Sequence, residues 1–430
     1  MASPPDKVDV LVIGGGPSGS TAATQLARRG YDVVLIDKQH HPRETVGESI
    51  LPSAWKYFDL LGATEAVENC NFVRKAGGVV AWGDQITQIA FSDFDYSRPG
   101  LHVERDEMDH VLLENSRKAG VRVFEGWRAE TVIPGSDGGA TVAVMYRGER
   151  KRIECRFVID ASGQASVMAR QLGVRRLNSD FRFVAMWGYF QDSLYVGPDG
   201  LARPFRDLRL HPPATFVTGL GDWGWSWHIP LKKNTSVGLV IPVDEYKKNI
   251  ERFRSIEGYF LENCRAAPHL RTLLGGAELT NGGIRMMRDF SYTSDVLSGP
   301  GFLVVGDAAG FVDPIFSVGF TIALYAGNIA AWAVDRALRQ PARESFARGL
   351  FEKQMVGRYE LAHTMALPGV EAEATDAAKT HFDFFSRSEK ELMWAAASMT
   401  TRSGNLVRAS SDGDAPPVLK RQELAGLQFT

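Results

Sequence analysis

The sequence has few cysteines and no long uninterrupted hydrophobic run. Its three cysteines, Cys70, Cys155 and Cys264, lie far apart and form no CxxC pair, which excludes a disulfide framework and gives no metal-binding spacing. We therefore expect free thiols in a reducing compartment. The longest apolar stretch, 319–334, contains Asn328 and is shorter than the roughly 18 residues that a membrane-spanning helix needs, so it predicts a buried helix.

The chain also lacks an excess of either charge. Its 49 Lys and Arg residues against 51 Asp and Glu residues give a net charge of −2. A nucleic-acid-binding protein normally has a basic surplus, and nothing in the charge balance supports binding to an anionic membrane. The N-terminus, MASPPDKVDV, lacks the basic and apolar regions of a signal peptide, so we expect a cytoplasmic protein. At about 150 residues per domain, 430 residues predict two or three domains.

The most informative segment is the first. An apolar run at 8–13 predicts a strand buried on both faces. The sequence GGGPSG at 14–19 follows it, then a helical stretch that ends near Gly30, and then a second apolar strand at 32–36. This order of strand, GxGxxG, helix and strand is typical of a dinucleotide-binding unit.

The residue types of that unit suit phosphate and ribose binding. Gly14 permits a tight turn, Gly16 lets the backbone approach a pyrophosphate, and Gly19 lets the helix pack closely on the strand. The phosphates would lie at the helix N-terminus, where free N–H groups and the helix dipole favour negative charge. Asp37, which follows the second strand, can accept hydrogen bonds from both ribose hydroxyls.

Two later segments favour FAD as the dinucleotide. RFVIDASG at 156–163 and GFLVVGDAAGFVD at 301–313 are apolar strands that end in an acidic residue and small residues, as expected for strands that return to the sheet beside the cofactor. Asp307 could accept from a ribityl hydroxyl, with the next helix N-terminus directed at the flavin ring. A second strand–GxGxxG–helix unit is missing from the sequence, so we expect one dinucleotide site and no separate nicotinamide domain.

The remaining chain predicts a second sheet and a helical end. Strand-like alternation and several tryptophans characterise 178–242, and 320–365 is helical in pattern. We predict an α/β fold: a GxGxxG FAD-binding Rossmann-like domain (1–180 and 280–340) with an inserted, mostly antiparallel β-sheet domain on the substrate side (181–279). A helical C-terminal segment and tail (341–430) would follow, with an exposed stretch at 409–417.

With these residues identified, the sequence resembles a known group of flavoproteins. GxGxxG, the RxxxD pattern Arg105–Asp109, the DASG strand and the GD strand occur in the order of FAD monooxygenases of the hydroxybenzoate-hydroxylase type. A narrower set of motifs resembles the flavin-dependent halogenases: GES at 47–49, Lys75 in KAGGVVAWG, WSWHIP at 225–230 in place of WxWxIP, and DPIFSVG at 313–319 in place of DPxxSxG.

The resemblance implies a reaction. In that family reduced flavin and O2 give a flavin hydroperoxide, from which chloride or bromide takes oxygen to form hypohalous acid. A tunnel carries this acid to a lysine, here Lys75, which positions it as the free acid or as a haloamine for an electron-rich aromatic substrate. Such enzymes serve secondary-metabolite and antibiotic biosynthesis and receive reduced flavin from a separate NAD(P)H:flavin reductase.

The resemblance and the motifs together assign the site residues, with Lys75 as the catalytic residue and no metal. We expect tryptophans and proline of WSWHIP to form a structural signature, and His228 to be a packed histidine. The cofactor-binding residues are Gly14, Gly16, Ser18, Gly19, Asp37, Lys38, Arg43, Glu48, Ser49, Arg105, Asp160, Gly306, Asp307, Gly319 and Phe320; the halide-binding residues are Pro314, Ser317, Val318 and Gly319; the substrate-pocket residues are Trp82, Trp187 and Phe316; the signature residues are Trp225, Trp227 and Pro230.

Two departures from the tryptophan halogenases narrow the substrate. Those enzymes have a glutamate before the serine of the halide turn, where this chain has Phe316, and they have a longer helical C-terminal part. Both differences favour the branch that acts on phenols or pyrroles, either free or tethered to an acyl or peptidyl carrier protein. An aromatic hydroxylase of the same fold, a flavoprotein resembling geranylgeranyl reductase, and a non-enzymatic flavin-binding protein are the alternatives.

Overall fold

A computed structural model describes residues 3–82, 85–135, 138–220, 224–366 and 385–399; the predicted exposed stretch at 409–417 lies outside these ranges. Within them the three cysteines are free thiols, and none of the helices combines the length and apolar character needed to span a membrane. The helices are α1 (Pro17–Arg28), α2 (Trp55–Leu61), α3 (Thr64–Asn69), α4 (Arg105–Lys118), α5 (Val167–Gln171), α6 (Val243–Ile250), α7 (Ile256–Ala266), α8 (Pro268–Leu273), α9 (Gly319–Arg339), α10 (Glu344–Ala366) and α11 (Arg387–Met399).

The strands fall into two large sheets and three small ones. In chain order they are β1 (Lys7–Ile13), β2 (Val33–Asp37), β3 (Ser49–Ile50), β4 (Val73–Lys75), β5 (Gly77–Trp82), β6 (Gln85–Ala90), β7 (Gly100–His102), β8 (Arg122–Glu125), β9 (Arg128–Pro134), β10 (Ala140–Tyr146), β11 (Glu149–Asp160), β12 (Arg175–Leu177), β13 (Phe183–Gln191), β14 (Leu194–Val196), β15 (Ala202–Pro204), β16 (Ala214–Leu220), β17 (Gly224–Pro230), β18 (Thr235–Pro242), β19 (Glu278–Leu279), β20 (Arg285–Arg288), β21 (Tyr292–Ser294), β22 (Ser298–Gly299) and β23 (Phe302–Val304).

The first large sheet is the dinucleotide-binding sheet. Its central order is β23-β11-β1-β2-β8, all parallel, and β9 and β10 form an antiparallel extension of β11. Val10, Leu11 and Val12 are fully buried in β1, as expected for a parallel strand covered on both faces. Helices α1 and α9 are joined by the Ser18 hydroxyl, which donates to the Ala323 carbonyl over 2.7 Å. The predicted α/β architecture is confirmed.

The second large sheet has the order β19-β13-β18-β17-β16-β5-β6, and β20 also pairs with β13. Its pairs are antiparallel except for β16 with β5. Strands β5 and β6 come from the first hundred residues, so this sheet also includes chain from outside the predicted insertion at 181–279. The segment 77–90 carries no local signal that identifies its partner strand, which is β16, more than 120 positions later.

A small three-stranded sheet joins the two halves of the molecule. Its order is β3-β7-β4, with Ser49 paired to His102 and Lys75 paired to Gly100. Gly100 leaves the room that this packing requires: a Cβ there would lie 2.6 Å from the Ile50 carbonyl oxygen and 3.3 Å from Cδ of Lys75. The sheet therefore holds Ser49, Lys75 and His102, which come from separate parts of the sequence, beside one another.

Candidate active site

A cavity of about 480 Å³ opens at the carboxyl ends of β1 and β2, the edge at which parallel sheets bind ligands. The glycine turn, the 43–49 segment, β17 and the start of α9 all contribute to its wall. The predicted cofactor residues in this wall are Gly14, Gly16, Ser18, Asp37, Lys38, Arg43, Glu48, Ser49, Arg105, Asp307, Gly319 and Phe320.

The glycine turn leaves space for a phosphate group. A Cβ placed on Gly16 would meet Nη2 of Arg43 at 3.4 Å and otherwise point into the cavity. Gly14 has a φ of +107°, and α1 begins at the next turn with no side-chain cap on its N–H groups. Open space, uncapped N–H groups and a guanidinium at one place suit an anionic pyrophosphate.

Other parts of the cavity wall offer polar groups to the rest of a dinucleotide. The Asp37 carboxylate accepts from the amides of Gly15 and Gln39 over 2.7 and 2.8 Å, which holds it at the cavity wall. The indole N–H of Trp225 also borders the cavity and is buried without an acceptor among the described residues. Because a buried donor normally has a partner, this atom supports a ligand in the cavity. The residues present therefore fit FAD.

The charged residues beside the cavity form ion pairs and hydrogen bonds that hold their side chains in place. Arg105 donates to both carboxylate oxygens of Asp109 over 2.9 and 3.2 Å and to the Val46 carbonyl over 2.8 Å. Burial raises the pKa of Asp307 to about 6, against the attraction of the nearby Arg105. These pairs fix the 43–49 segment on the cavity wall.

Glu48 is anchored from both sides. It accepts from the Tyr189 hydroxyl over 2.8 Å and from the Gly47 amide over 3.1 Å. Burial raises the pKa of Glu48, and the Tyr189 hydrogen bond partly offsets that rise. Glu48 thus joins the segment before β3 to strand β13 of the second sheet.

Lys75 lies behind Ser49, outside the cavity wall. Its Nζ donates to Oγ of Ser49 over 2.9 Å and lies 5.4 Å from the centre of the Phe91 ring. Its side chain is 4% exposed, and burial lowers the pKa of Lys75 to about 7. Near neutral pH the amine is thus present in both protonation states.

The segment 313–319 separates the first cavity from a second one. Pro314, Ile315, Ser317 and Gly319 border the first cavity, whereas Phe316 and Val318 border the second. Ser317 has a φ of +58°, an uncommon conformation for a non-glycine residue that often marks a functional turn. Its hydroxyl is 3.0 Å from Oγ of Ser49. The predicted halide turn is therefore one hydrogen-bonded residue away from Lys75.

The second cavity is smaller, about 70 Å³, and largely apolar. Its wall includes Tyr96, whose ring packs against Phe91 beside Lys75. Arg358 is the basic residue among its described lining residues; its guanidinium carbon lies 3.8 Å from the centre of the Tyr325 ring. The remaining lining residues are Leu51, Ser53, Phe316, Val318, Thr321, Ile322, Leu361, Ala362, Met365, Phe385, Glu389, Leu392 and Met393.

Several predicted site residues lie elsewhere. Gly19, Asp160 and Gly306, which the sequence assigns as cofactor contacts, are absent from the lining of the first cavity. Both carboxylate oxygens of Asp160 accept from backbone amides, those of Ser162 and Met168, over 3.0 and 2.7 Å. Its role is to fix the turn after β11.

Gly19 and Gly306 serve packing. A Cβ on Gly19 would lie 1.9 Å from the Gly14 carbonyl oxygen, and one on Gly306 would lie 2.3 Å from Oγ of Ser18. These glycines let α1 approach the strand and the turn after β23. They therefore shape the cavity from behind.

The three predicted substrate-pocket residues do not share a pocket. Trp187 borders the first cavity, Phe316 borders the second, and Trp82 borders neither. Trp82 instead packs over Gly219 of β16, whose missing side chain leaves room for the indole. The three residues lie on β5, on β13 and in the 313–319 turn, so composition alone could not group them.

The WSWHIP strand follows the same alternation. Trp225, Trp227 and Ile229 border the first cavity, whereas His228 and Pro230 face away from it. His228 is fully buried and burial lowers its pKa to about 3, as expected for a packed histidine. The Pro230 carbonyl accepts from His102.

Four polar residues at the site carried no signal in the sequence. His102, Thr215, Tyr189 and Arg358 belong to no motif, and each meets its partner across a large sequence separation: Thr215 is 2.9 Å from Ser49, Oγ to Oγ, at 166 positions along the chain. His102 and Thr215 reach Ser49 through the β3-β7-β4 sheet and β16, Tyr189 reaches Glu48 from β13, and Arg358 comes from α10.

Comparisons with known proteins support the assignment of the first cavity to FAD. A family model described as an FAD binding domain matches residues 7–347. The chain is 37% identical over 362 residues to tryptophan 2-halogenase from Chondromyces crocatus, covering 83% of this chain and 66% of that protein, and 32% identical over 385 residues to a flavin-dependent halogenase from Armillaria mellea, covering 85% and 72%. The chain thus spans slightly less than two thirds of the first of these relatives.

The fold is also similar to that of a halogenase of known structure. The myxobacterial chondrochloren halogenase CndH, described as a variant of FAD-dependent halogenases, superposes with a TM-score of 0.76 at 28% identity. The superposition covers 91% of this chain and 86% of that one. The similarity therefore includes both large sheets and the helices around them.

Proposed function

This chain belongs to the flavin-dependent halogenases, and from that premise we propose that it halogenates an electron-rich aromatic ring at Lys75. The observation that carries the proposal is the hydrogen-bonded path from the 313–319 turn through Ser317 and Ser49 to the buried Lys75 amine. This path joins the cofactor-binding cavity to a group that can hold an electrophile.

The first cavity would hold FAD. Gly16 and Ser18, at the start of α1, would receive the pyrophosphate, Asp37 the ribose and Asp307 the ribityl chain. When bound in its reduced form, FAD supplies the electrons for the overall conversion FADH2 + O2 + X⁻ + H⁺ → FAD + HOX + H2O, in which X⁻ is chloride or bromide. Trp225 and Trp227 close the cavity on the side of the second sheet and would keep an organic substrate away from the flavin.

We place the halide at the 313–319 turn. The first N–H groups of α9, from Gly319 onward, have no acceptor within the helix, and the positive end of the helix dipole favours an anion. The Ser317 hydroxyl would add a donor, while Pro314 and Val318 would supply the apolar surroundings that strip water from the ion.

Lys75 would hold hypohalous acid by donating an N–H to its oxygen. The aromatic carbon then attacks the halogen, so that ArH + HOX → ArX + H2O: the C–X bond forms as the O–X bond breaks, and the ring proton leaves with the hydroxide as water. Burial of Lys75 keeps bulk water from the electrophile and fixes its position relative to one ring carbon.

The aromatic substrate would occupy the second cavity. Its apolar wall suits a ring, and Arg358 is a cation in poorly solvated surroundings. A guanidinium in such a place favours the ionised form of a nearby acid, and a phenolate is a better carbon nucleophile than a neutral phenol. Of the phenol and pyrrole classes, we therefore propose phenols. The test must also include a substrate attached as an acyl group to a carrier protein.

The electron source would be a separate NAD(P)H:flavin reductase. The sequence contains one strand–GxGxxG–helix unit, and the first cavity already accounts for it. Direct and rapid oxidation of NADPH by the purified protein would contradict this part of the proposal and favour the aromatic hydroxylase.

The test is an assay by mass spectrometry with a flavin reductase, FAD, NADH, O2 and bromide. The panel contains free phenols, free indoles and a pyrrolyl-loaded carrier protein, and reactions without bromide serve as the control. We expect a bromine isotope doublet on a phenol. A doublet on an indole or the loaded carrier alone would contradict the phenol assignment, and a product with one added oxygen and no halogen would replace halogenation by hydroxylation.

A further inference from the structure

Ser49 and Thr215, which both border the cofactor cavity, begin a chain of hydrogen bonds that ends at the buried His102. Oγ of Ser49 lies 2.9 Å from Oγ1 of Thr215, which lies 2.8 Å from Nε2 of His102. Nδ1 of His102 lies 3.1 Å from the Pro230 carbonyl oxygen. His102 is fully buried, and Thr215, Ser49 and Lys75 are each less than 8% exposed. The network is therefore shielded from the solvent that could otherwise satisfy these groups.

The Pro230 carbonyl fixes the direction of every bond in this chain. A carbonyl oxygen can only accept, so Nδ1 of His102 must carry the ring proton. Burial and the nearby Lys75 hold the pKa of His102 well below its usual value, so the ring is neutral and Nε2 is an acceptor. Thr215 must then donate to His102, and Ser49 must donate to Thr215.

The direction of the chain decides how Ser49 meets the lysine. Because its one proton is committed to Thr215, Ser49 has only lone pairs for its other neighbours. It accepts from Nζ of Lys75 over 2.9 Å and from the Ser317 hydroxyl over 3.0 Å. Ser49 thus cannot donate to the lysine nitrogen, whether the amine is protonated or neutral.

We propose that His102 and Thr215 are positioning residues that, through Ser49, hold one Lys75 N–H on the serine and keep the rest of the nitrogen available to hypohalous acid. The proposal rests on the proposed function. Without the Thr215 hydroxyl, the Ser49 proton is free to rotate toward the neutral amine and occupy its lone pair. The amine would then turn about its Cε–Nζ bond, and its N–H groups would no longer point at the oxygen of hypohalous acid.

The test compares Thr215→Val, which removes the hydroxyl at nearly constant volume, with Thr215→Ser, which keeps it. In the flavin-loaded enzyme we expect Thr215→Val to lower bromination per O2 consumed by about 10- to 100-fold. Because Thr215 borders the cofactor cavity, bound FAD and O2 consumption are measured for each variant, and the coupling ratio refers to the loaded enzyme alone. Thr215→Ser should recover most of the coupling. A valine variant coupled as well as the wild-type enzyme would overturn the proposal.

A pH profile separates positioning from general packing. A hydrogen bond to the neutral amine favours that form, so the midpoint assigned to Lys75 should move to lower pH in Thr215→Val and return in Thr215→Ser. The titratable groups that face the network are His102 on β7 and His228 on β17, and burial keeps both neutral in this range. An unchanged midpoint would indicate a structural role alone.

A third readout does not depend on halogenation. Long-range ¹H–¹⁵N spectra of histidine-labelled holoenzyme report which ring nitrogen carries the proton, with His102→Gln used to assign the signal. We expect the Nδ1–H form of His102 over the whole working pH range. An Nε2–H form would reverse the chain and overturn the proposal, whereas a wild-type enzyme that brominates nothing in the panel would contradict the proposed function and leave this spectrum to decide on the network.

Discussion

The two cavities on either side of the 313–319 turn differ in nearly every physical respect. The first, about 480 Å³, has charged groups held in pairs, such as Arg105 with Asp109, and a glycine turn at a helix N-terminus. The second, about 70 Å³, is apolar, and Arg358 is its basic residue within the described lining. The first suits a large anionic cofactor, and the second is the cavity that we propose for the aromatic ring.

The difference indicates a division of labour. A strong oxidant is useful only if it forms where the substrate is absent and reacts where water is scarce. The turn separates the two places. Hydrogen bonds lead from Ser317 through Ser49 to Lys75, which lies beside Phe91, and the Phe91 ring packs on Tyr96 of the second cavity's wall. Selectivity would then depend on the connection as much as on either cavity.

The largest expected effect comes from cutting the connection. Lys75→Met should reduce halogenation by at least about 1,000-fold, because the electrophile loses the group that positions it, while FAD binding and O2 consumption remain. Product analysis by mass spectrometry and an oxygen electrode measure the two quantities. Lys248→Met, at an exposed lysine that pairs with Glu245 on α6, is the matched control and should behave as the wild type. A Lys75→Met enzyme that still halogenates would remove the lysine from the mechanism.

The next effect should be confined to the first cavity. Gly16→Val would place a branched side chain in the space assigned to the pyrophosphate, and we expect FAD affinity to fall by about 100-fold, or about 2.7 kcal/mol. Flavin absorbance after gel filtration measures retention. Gly276→Val is the control, because a Cβ there meets nothing within 4 Å. A yellow, fully loaded Gly16→Val protein would contradict the assigned phosphate position.

A smaller effect should be confined to the second cavity. Arg358→Met should raise KM for a phenolic substrate by about 10- to 30-fold, the cost of losing one charge-assisted contact, with FAD binding unchanged. Arg358→Lys keeps the charge and should lose less, and the methyl ether of the same phenol should bind the wild type and Arg358→Met equally. If the ether shows the same loss as the phenol, Arg358 acts on packing and not on the acidic hydroxyl.

The comparison also explains which parts were predictable. The parallel sheet and the phosphate turn follow from residues close together in the chain, because β1, the glycine turn, α1 and β2 occupy 7–37. For these neighbouring elements, the spacing along the chain determines how they are arranged in space. Asp160 shows where sequence spacing is not enough. A carboxylate at the end of a strand can bind the backbone of the following turn or a ligand in the cavity, and Asp160 accepts from two backbone amides.

The rest of the site could not be predicted from spacing. The motif points to Lys75, but His102 and Thr215, which continue the network from its partner Ser49, come from β7 and β16. The second cavity combines Leu51 and Phe316 with residues of α10 and α11, and so depends on packing across more than 250 positions. Trp187 lies on β13 and Phe316 in the 313–319 turn, and no local pattern shows that they border different cavities.

The last expected effect is on the free energy of unfolding, and it tests whether the Lys75 amine is buried. Burial lowers the pKa of Lys75 from 10.5 to about 7, so between these values the unfolded chain binds the extra proton, and the stability of the wild type should rise with pH across that window. Lys75→Met lacks this dependence. After the lost Ser49 hydrogen bond is subtracted, we expect it to be more stable than the wild type by about 3 kcal/mol at pH 7, with the gap closing toward pH 10. Urea unfolding at several pH values measures the gap. A gap that stays constant with pH would mean that the Lys75 amine is solvated in the folded protein.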